Sequence, residues 1–382
     1  MNFDLTPEQQ RLKQEIIRFA RKELNDGIIE RDRTHQFPHD LWLKCGEMGF
    51  QGLPIPEAYG GSGLDSLTTA VALEALGYAC EDSGLVFSIG AHLLACVVPI
   101  WKHGTEAQKE KYLPPLCKGS LIAVNAITEP DSGSDVFAMT TRAKKVEGGW
   151  QLNGRKMFAS NGPVADVALV YAVTDREKGY QGGITAFLVE KGTPGFTQGQ
   201  TFEKMGLRTS PIGELVFEDA VVGETAVLGH VGAGAIQFSQ SMNWERVCLF
   251  ASHVGTMTRL LEKAVAYART RQQGGQPIGK YQAVAHRIAD MKVQVEAARL
   301  LIYKAAWQLE RSRAVSLDAA IAKLFTSEAY VAASRGAVQI FGGYGFMTEY
   351  EVERSLRDAV GSTIYSGSSE IQRNIIARWL GL

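Results

Sequence analysis

From Lys280 to Arg335 the chain contains neither glycine nor proline, and no other feature restricts its fold so tightly. A run of this length without breakers has few ways to turn, so long helices are expected. Val284, Ile288, Met291, Val295, Ala298 and Ile302 step by four and three, the seam spacing of a helix bundle. Ser316 offers an N-cap, which predicts two antiparallel helices joined near Ser312 to Val315. A final helix is expected from about Ser368, and the helical signal of this half begins after Gly234. Residues 231–382 therefore read as a C-terminal four-helix bundle.

The opposite end is helical too. Thr6-Pro7-Glu8-Gln9 predicts a start with Thr6 as N-cap, Pro7 in the first turn and Gln9 reaching back. Leu12, Ile16, Phe19 and Ala20 then share one face. Further helical patches fall at 38–48, 66–79, 84–102 and 106–116, so residues 1–119 read as a helical domain. Between them the pattern changes. Short apolar or alternating runs at 167–173, 184–189 and 214–217 are punctuated by Gly148-Gly149, Asn153-Gly154, Gly182-Gly183 and Pro194-Gly195. No helix-length segment separates these strands, so residues 120–230 are expected to form a small β-barrel or sandwich rather than βαβ units. The fold class is mainly α with a central β domain.

Composition excludes several functions. A formal net charge of -1 with no basic block argues against nucleic acid and against a membrane surface. The uncharged run 84–101 has the length of a membrane span, but Ser88, Gly90, His92 and Pro99 interrupt it, so a buried core helix is expected. Cys45, Cys80, Cys96, Cys117 and Cys248 are odd in number and widely spaced, which suits a reducing compartment. MNFDLTPEQQ shows no secretory pattern, and the expected location is the cytoplasm. His35 and His39 are four apart, but Pro38 lies between them, so no metal site is expected. There is no G-x-S-x-G or P-loop, and Gly342-Gly343-Tyr344-Gly345 follows a helix rather than a strand, against a Rossmann site.

Two stretches carry candidate chemistry. AITEPDSGSDVFA, residues 126–138, gathers three hydroxyls, a proline and a Ser-Gly-Ser-Asp turn behind an apolar lead-in. Gly133 lets backbone approach a ligand closely, and Thr128, Ser132 and Ser134 can present hydroxyls. The second is an acid in apolar surroundings. Between Val231 and Thr258 the only formal charges are Glu245 and Arg246. Burial would raise the Glu245 pKa and Arg246 would lower it; the alternative is a structural ion pair between the two.

Together with KMFASNG (156–162), KMGLRTS (204–210), QIFGGYGFMTEYEVERSLRD (339–358) and IYSGSSEIQRNIIAR (364–378), the 126–138 stretch resembles the acyl-CoA dehydrogenase family of flavoproteins. The resemblance runs through nearly the whole chain. It implies FAD between the β domain and the bundle, with part of the adenosine half held by a neighbouring subunit of a homotetramer. Ala126, Thr128, Gly133 and Ser134 match flavin and pantetheine contacts, and Phe158 and Ser160 stand beside the ring system. Arg271 and Gln282 would reach FAD across a subunit contact. Gln339 and Gly343 would meet its diphosphate or adenosine, and Ser368 matches another cofactor-binding hydroxyl, with a turn or cap as its plain alternative.

The reaction implied is α-proton removal from an acyl thioester by a carboxylate, as hydride leaves the β carbon for the flavin. The commonest position of that base holds Ser366 here, and serine has no useful basicity. A minority of the family carries the base where this chain has Glu245, so Glu245 is the expected base, with the Ser366 N–H placed for the enolate oxygen. Ser134, Arg246 and Tyr365 are the expected substrate contacts. Gly274, where members usually show Phe, implies a lost aromatic contact near the cofactor. GLVFSIGAHLLACVVPI, NGPVADV and SMNWERVCLF further resemble the branch that oxidises prolyl groups on peptidyl carrier proteins. Electrons would pass to an electron-transfer flavoprotein or to oxygen. A flavin oxidase or monooxygenase on the same fold, or a non-catalytic flavin-bound partner protein, stand as alternatives.

Overall fold

A computed structural model describes residues 4–311 and 315–382. The N-terminal helices are α1 (Pro7–Glu23), α2 (Ile28–Thr34), α3 (His39–Glu47), α4 (Ser66–Ala79), α5 (Ser83–His92), α6 (Val98–His103) and α7 (Glu106–Cys117). The capping box at the start of α1 forms as its sequence directs. The Thr6 hydroxyl accepts from Gln9 N, the Gln9 side chain accepts from Thr6 N, and Ile16 and Ala20 are buried. A π-helical turn, Leu93–Val97, joins α5 to α6. The span Ser83–His103 is long and apolar enough to cross a bilayer by length and composition, yet 89% of its most apolar window is buried in the protein core.

Seven strands follow: β1 (Ala123–Ala126), β2 (Arg142–Val146), β3 (Gly149–Ser160), β4 (Val167–Val173), β5 (Ile184–Glu190), β6 (Phe196–Thr201) and β7 (Ile212–Gly223). They form one curled sheet, a half-barrel, in the order β1-β4-β2-β3-β7-β6, with β5 also paired to β4. β1 lies parallel to β4, Ala126 opposite Val170, so the chain leaves β1 at the sheet's end and enters the 126–138 loop there. A buried histidine joins this strand to the helices. His92 Nε2 meets the Leu116 carbonyl at 3.1 Å, and its Nδ1 accepts from Ala123 N at 2.9 Å. Burial lowers His92 to about 4, so it stays neutral and serves as a fixed bracket.

The C-terminal helices are α8 (Gly234–Trp244), α9 (Phe250–Thr270), α10 (Gln282–Gln308), α11 (Val315–Phe341), α12 (Val352–Ser362) and α13 (Ser369–Trp379). A second π-helical turn, Glu245–Leu249, links α8 to α9. The seam read from the sequence is real: Met291, Val295, Ala298 and Ile302 are buried, and Val284 and Ile288 pack against the same core. The proposed junction of the two long helices falls on residues 312–314, outside the described residues. Ser316 is not the cap, because α11 already begins at Val315; its hydroxyl instead accepts from Asn243 Nδ2 at 3.1 Å.

α4 and α9 approach unusually closely. A Cβ on Gly77 would stand 2.0 Å from the Ser252 carbonyl oxygen, and one on Gly255 would stand 2.0 Å from that of Glu74. Arg259 then closes the C-terminal end of α4, one guanidinium nitrogen donating to the carbonyls of Gly77, Tyr78 and Cys80. Gly77→Ala is expected to destabilise the protein by at least about 1–3 kcal/mol, because backbone on both helices must move. A fall in the denaturant midpoint with an unchanged slope checks this.

Candidate active site

The π turn begins at Glu245, one of the few buried carboxylates of the bundle. Inserting an extra residue into a helical turn re-aims the side chains on either side of it, and such turns concentrate at functional sites. Opposite it, the segment between α12 and α13 turns sharply through Ser366 (φ 58°) and Gly367 (φ 85°). Left-handed backbone at serine is costly and marks a constrained position.

The Ser366 hydroxyl donates to Glu245 Oε1. Arg246 Nε donates to the Ser366 carbonyl at 3.1 Å, and Gln372 Nε2 donates to the carbonyls of Ser366 at 3.2 Å and Gly367 at 2.8 Å. The suspected Glu245–Arg246 ion pair is thus replaced by a relay in which the serine stands between the two charges. Burial raises the Glu245 pKa, opposed by the Ser366 hydroxyl and by the charges of Arg246 and Lys323. Burial likewise pulls Arg246 down to about 10, which leaves it charged at neutral pH.

Tyr365 supports the turn from below. Its hydroxyl meets His253 Nε2 at 2.8 Å, and its ring packs on Phe87 and Phe250 with centroids 4.7 Å and 5.8 Å away. Burial depresses His253 to about 3, so the imidazole is neutral. Expected as a substrate contact, Tyr365 has its hydroxyl committed to His253. Ser368 behaves as the cap of α13, its hydroxyl accepting from Ile371 N at 3.4 Å.

A second cluster surrounds the 126–138 loop. Met157 N donates to the Thr128 carbonyl at 2.8 Å, which ties the loop to β3. Beneath it Glu129 and Lys156 form a buried ion pair, Nζ to Oε1 at 2.9 Å. Lys156 also donates to the Ile127 carbonyl at 3.1 Å, and Glu129 accepts from the backbone of Thr140 at 2.6 Å and Thr141 at 3.0 Å. Burial alone would raise Glu129, but Lys156 and these donors outweigh it and hold the carboxyl at about 2. Burial outweighs the attraction of Glu129 at Lys156 and brings it to about 8, so both are charged at neutral pH.

Above this pair Gly133 and Ser134 are exposed, with nothing within 4 Å of where a Gly133 Cβ would lie. Phe158 sits at an irregularity of β3, left-handed at φ 53° and 58% exposed, its ring 5.7 Å from Phe202. Ser160 ends the strand, paired with Ile212. Ala126 is buried at the end of β1, and the neighbouring Asn125 donates to the Ala95 carbonyl at 3.1 Å, on the first π turn. The two π turns pack on one another, which links the strand leading into the loop to the turn that carries Glu245.

The remaining expected residues form a third group. Arg271 lies over the Tyr344 ring at 5.4 Å, Gln282 opens α10, and Gln339 and Gly343 are exposed near the end of α11. Among the described residues no hydrogen bond or ring contact was found that joins them to the other clusters within one chain. Gly274 and Gly275 make a hairpin turn with φ of 56° and 80°. A Cβ at Gly274 would stand 2.4 Å from the Tyr281 hydroxyl, which packs against the turn and donates to the Gln273 carbonyl at 2.9 Å.

Backbone strain tracks the motifs. Among the described residues, five of the seven non-glycine residues with positive φ, namely Phe158, Asn161, Leu207, Glu351 and Ser366, fall inside the KMFASNG, KMGLRTS, 339–358 and 364–378 stretches. Such strain persists only where the surroundings impose it. The KMGLRTS turn is held from two sides, Leu207 N donating to Asp358 at 2.5 Å and Thr209 to Asp82 at 2.5 Å. Burial raises Asp358 to about 6. Sequence reasoning missed Lys156, His253 and Lys323, which read as ordinary helix or strand residues; their only signal is burial. No cluster of potential metal ligands exists among the described residues.

A buried carboxylate on a π turn, an open glycine loop and an exposed aromatic on a strained strand are the features a family assignment has to explain. Residues 6–120, 125–220 and 232–381 match the N-terminal, middle and C-terminal domains of acyl-CoA dehydrogenase. The L-prolyl-[peptidyl-carrier protein] dehydrogenase of a Serratia species is 42% identical over 382 residues, covering 100% of this chain and 99% of that protein. The crystal structure of the prolyl acyl carrier protein oxidase AnaB is 45% identical with a TM-score of 0.97, covering 99% of this chain and 100% of that one. PigA with FAD and proline gives 42% identity and a TM-score of 0.98 over 100% of both chains. The chain belongs to the acyl-CoA dehydrogenase family.

Proposed function

We propose that this enzyme introduces an α,β double bond into an acyl group carried on the phosphopantetheine thioester of a carrier protein, a prolyl group first among the candidates. The class of reaction is that of its family, FAD-dependent dehydrogenation of an acyl thioester. The observation that carries the reading is the buried Glu245 carboxylate held by Ser366. The carrier is supported by relatives of 42–44% identity that act on prolyl-carrier protein.

The residues suit FAD. Open space above Gly133 and Gly343, and the exposed Phe158 face, fit a flat ring system and a diphosphate brought close to backbone. Ala126, Thr128, Gly133, Ser134, Phe158 and Ser160 would hold the flavin end, and Arg271, Gln282, Gln339, Gly343 and Ser368 the remainder. Bound FAD supplies the acceptor for the hydride leaving the β carbon. Glu245 takes the α proton on the oxygen that Ser366 leaves free, the Ser366 N–H faces the thioester carbonyl, and Arg246 fixes the turn that presents both.

The chain is divided into domains 1–119, 120–230 and 231–382, and the working unit is a cytoplasmic homotetramer in which Arg271 and Gln282 serve a neighbour's cofactor. Val293, Leu300 and Trp307 support that assembly: spaced by seven on α10, they leave an apolar stripe exposed. Five free, buried cysteines support a reducing compartment. Electrons pass to an electron-transfer flavoprotein or to oxygen.

Anaerobic mixing tests the substrate. Prolyl-loaded carrier protein is expected to bleach the oxidised flavin band on the order of tenfold or more faster than straight-chain acyl-CoA at equal concentration. Faster bleaching by acyl-CoA would reverse the assignment of carrier, and bleaching by neither would remove the thioester reading.

A further inference from the structure

Lys323, in the middle of α11, is fully buried, and its ammonium is the one buried amine among the described residues without a hydrogen-bond partner. Its Nζ lies 5.3 Å from the Phe250 ring centroid. Phe250 is one helical turn beyond Arg246 and packs against both His253 and Tyr365, at 4.8 Å and 5.8 Å. Burying an unpaired ammonium is costly, and a cation–π contact recovers only part of that cost. A methionine would fill the same volume without the cost, so the charge calls for an electrostatic task.

The task follows from what the neighbours leave undone. Glu245 is a buried carboxylate whose direct donor is a neutral hydroxyl, and Arg246 directs its Nε to the Ser366 carbonyl. The groups facing Lys323 are Glu245 and Arg246 on the π turn, His253 on α9, Glu328 on its own helix and Glu370 on α13. Glu328 is engaged by the Ser369 hydroxyl at 2.6 Å, and Glu370 and Glu328 are solvent-exposed, where water screens them. His253 is neutral. α11 packs directly on the π turn that carries Glu245, so Glu245 is the buried anion within the field of Lys323.

We propose that Lys323 is a positioning residue for the reaction, a buried counter-charge that works with Arg246 to favour the ionised, proton-accepting form of Glu245. It does so through space rather than by a direct bond. Burial, with Arg246 adding to it, brings the ammonium itself to about 8, so the support is present at neutral pH and fades in alkali. Because Glu245 is the base only under the function proposed above, the inference rests on that reading.

The test reads the charge state of Glu245 without turnover. Infrared titration of wild type minus Glu245→Gln gives the protonated-carboxyl band of this one residue. In Lys323→Met the midpoint of that band is expected to rise by about one pH unit, with Lys323→Arg near wild type. Lys323→Gln, polar but uncharged, should follow Lys323→Met and serves if the methionine variant folds poorly. The acid limb of kcat/KM should move by the same amount, a loss of about tenfold below it that recovers at high pH. An unmoved infrared midpoint in the uncharged variants, or a loss of rate equal at every pH, would overturn the proposal. A shifted midpoint with no activity on any thioester would leave the Lys323–Glu245 coupling standing and sink the function instead.

Discussion

Glu245→Gln is expected to slow flavin reduction by substrate on the order of 10²–10⁴-fold while FAD remains bound. Glutamine keeps the shape and still accepts the Ser366 hydroxyl, so what is lost is basicity. The wild-type rate should rise with pH through the raised pKa of Glu245 and then level, because only the carboxylate takes a proton. The same shift acts on stability with a definite sign. Burial raises the folded pKa above the ordinary 4.5, so the folded state binds the extra proton more tightly, and stability is lost as pH rises through that window. Glu245→Gln removes this cost and is expected to melt no lower than wild type at neutral pH. Stopped-flow absorbance and a thermal melt check the two halves, and a large fall in both together would mean a structural role.

Breaking the Glu129–Lys156 pair is expected to be the second large effect. Both side chains are almost fully buried, and removing one partner leaves the other charge uncompensated, at about 3–5 kcal/mol. Lys156 also fixes the Ile127 carbonyl, and Glu129 gathers the backbone of Thr140 and Thr141, so the damage falls on the 126–138 loop. Lys156→Met should therefore weaken FAD binding on the order of a hundredfold, seen as flavin lost on gel filtration. The pH dependence has the opposite sign to that of Glu245. The Glu129 pKa is depressed from 4.5 to about 2, so its contribution is complete above about pH 4.5 and is lost as pH falls toward 2. Acid release of flavin in that range should flatten in Glu129→Gln, and an unchanged acid profile would mean that the pair does not hold the loop.

Short-range signals carried much of the architecture. The Thr6–Gln9 capping box needs only four residues, and the α10 seam repeats on one face, so both were readable from the chain. Glu245 stood out because no other acid interrupts its apolar run. The π turns were invisible, since one inserted residue shifts a period without leaving a mark in composition. Ser316 looked like a cap, but a hydroxyl's role depends on where the helix begins, and α11 begins a residue earlier. The pairings that shape the site are long-range: Tyr365 with His253, Ser366 with Glu245, Lys156 with Glu129. Lys323 reads as a solvent-facing lysine of a long helix until packing covers it.

Hydrogen exchange at the thioester's α carbon reads the action of Glu245 with no dependence on later electron transfer. Substrate incubated in heavy water with wild-type enzyme under anaerobic conditions is expected to gain deuterium at that carbon, measured by mass spectrometry, and with Glu245→Gln it is expected to gain almost none. Equal incorporation by the two proteins would mean that another group removes the proton.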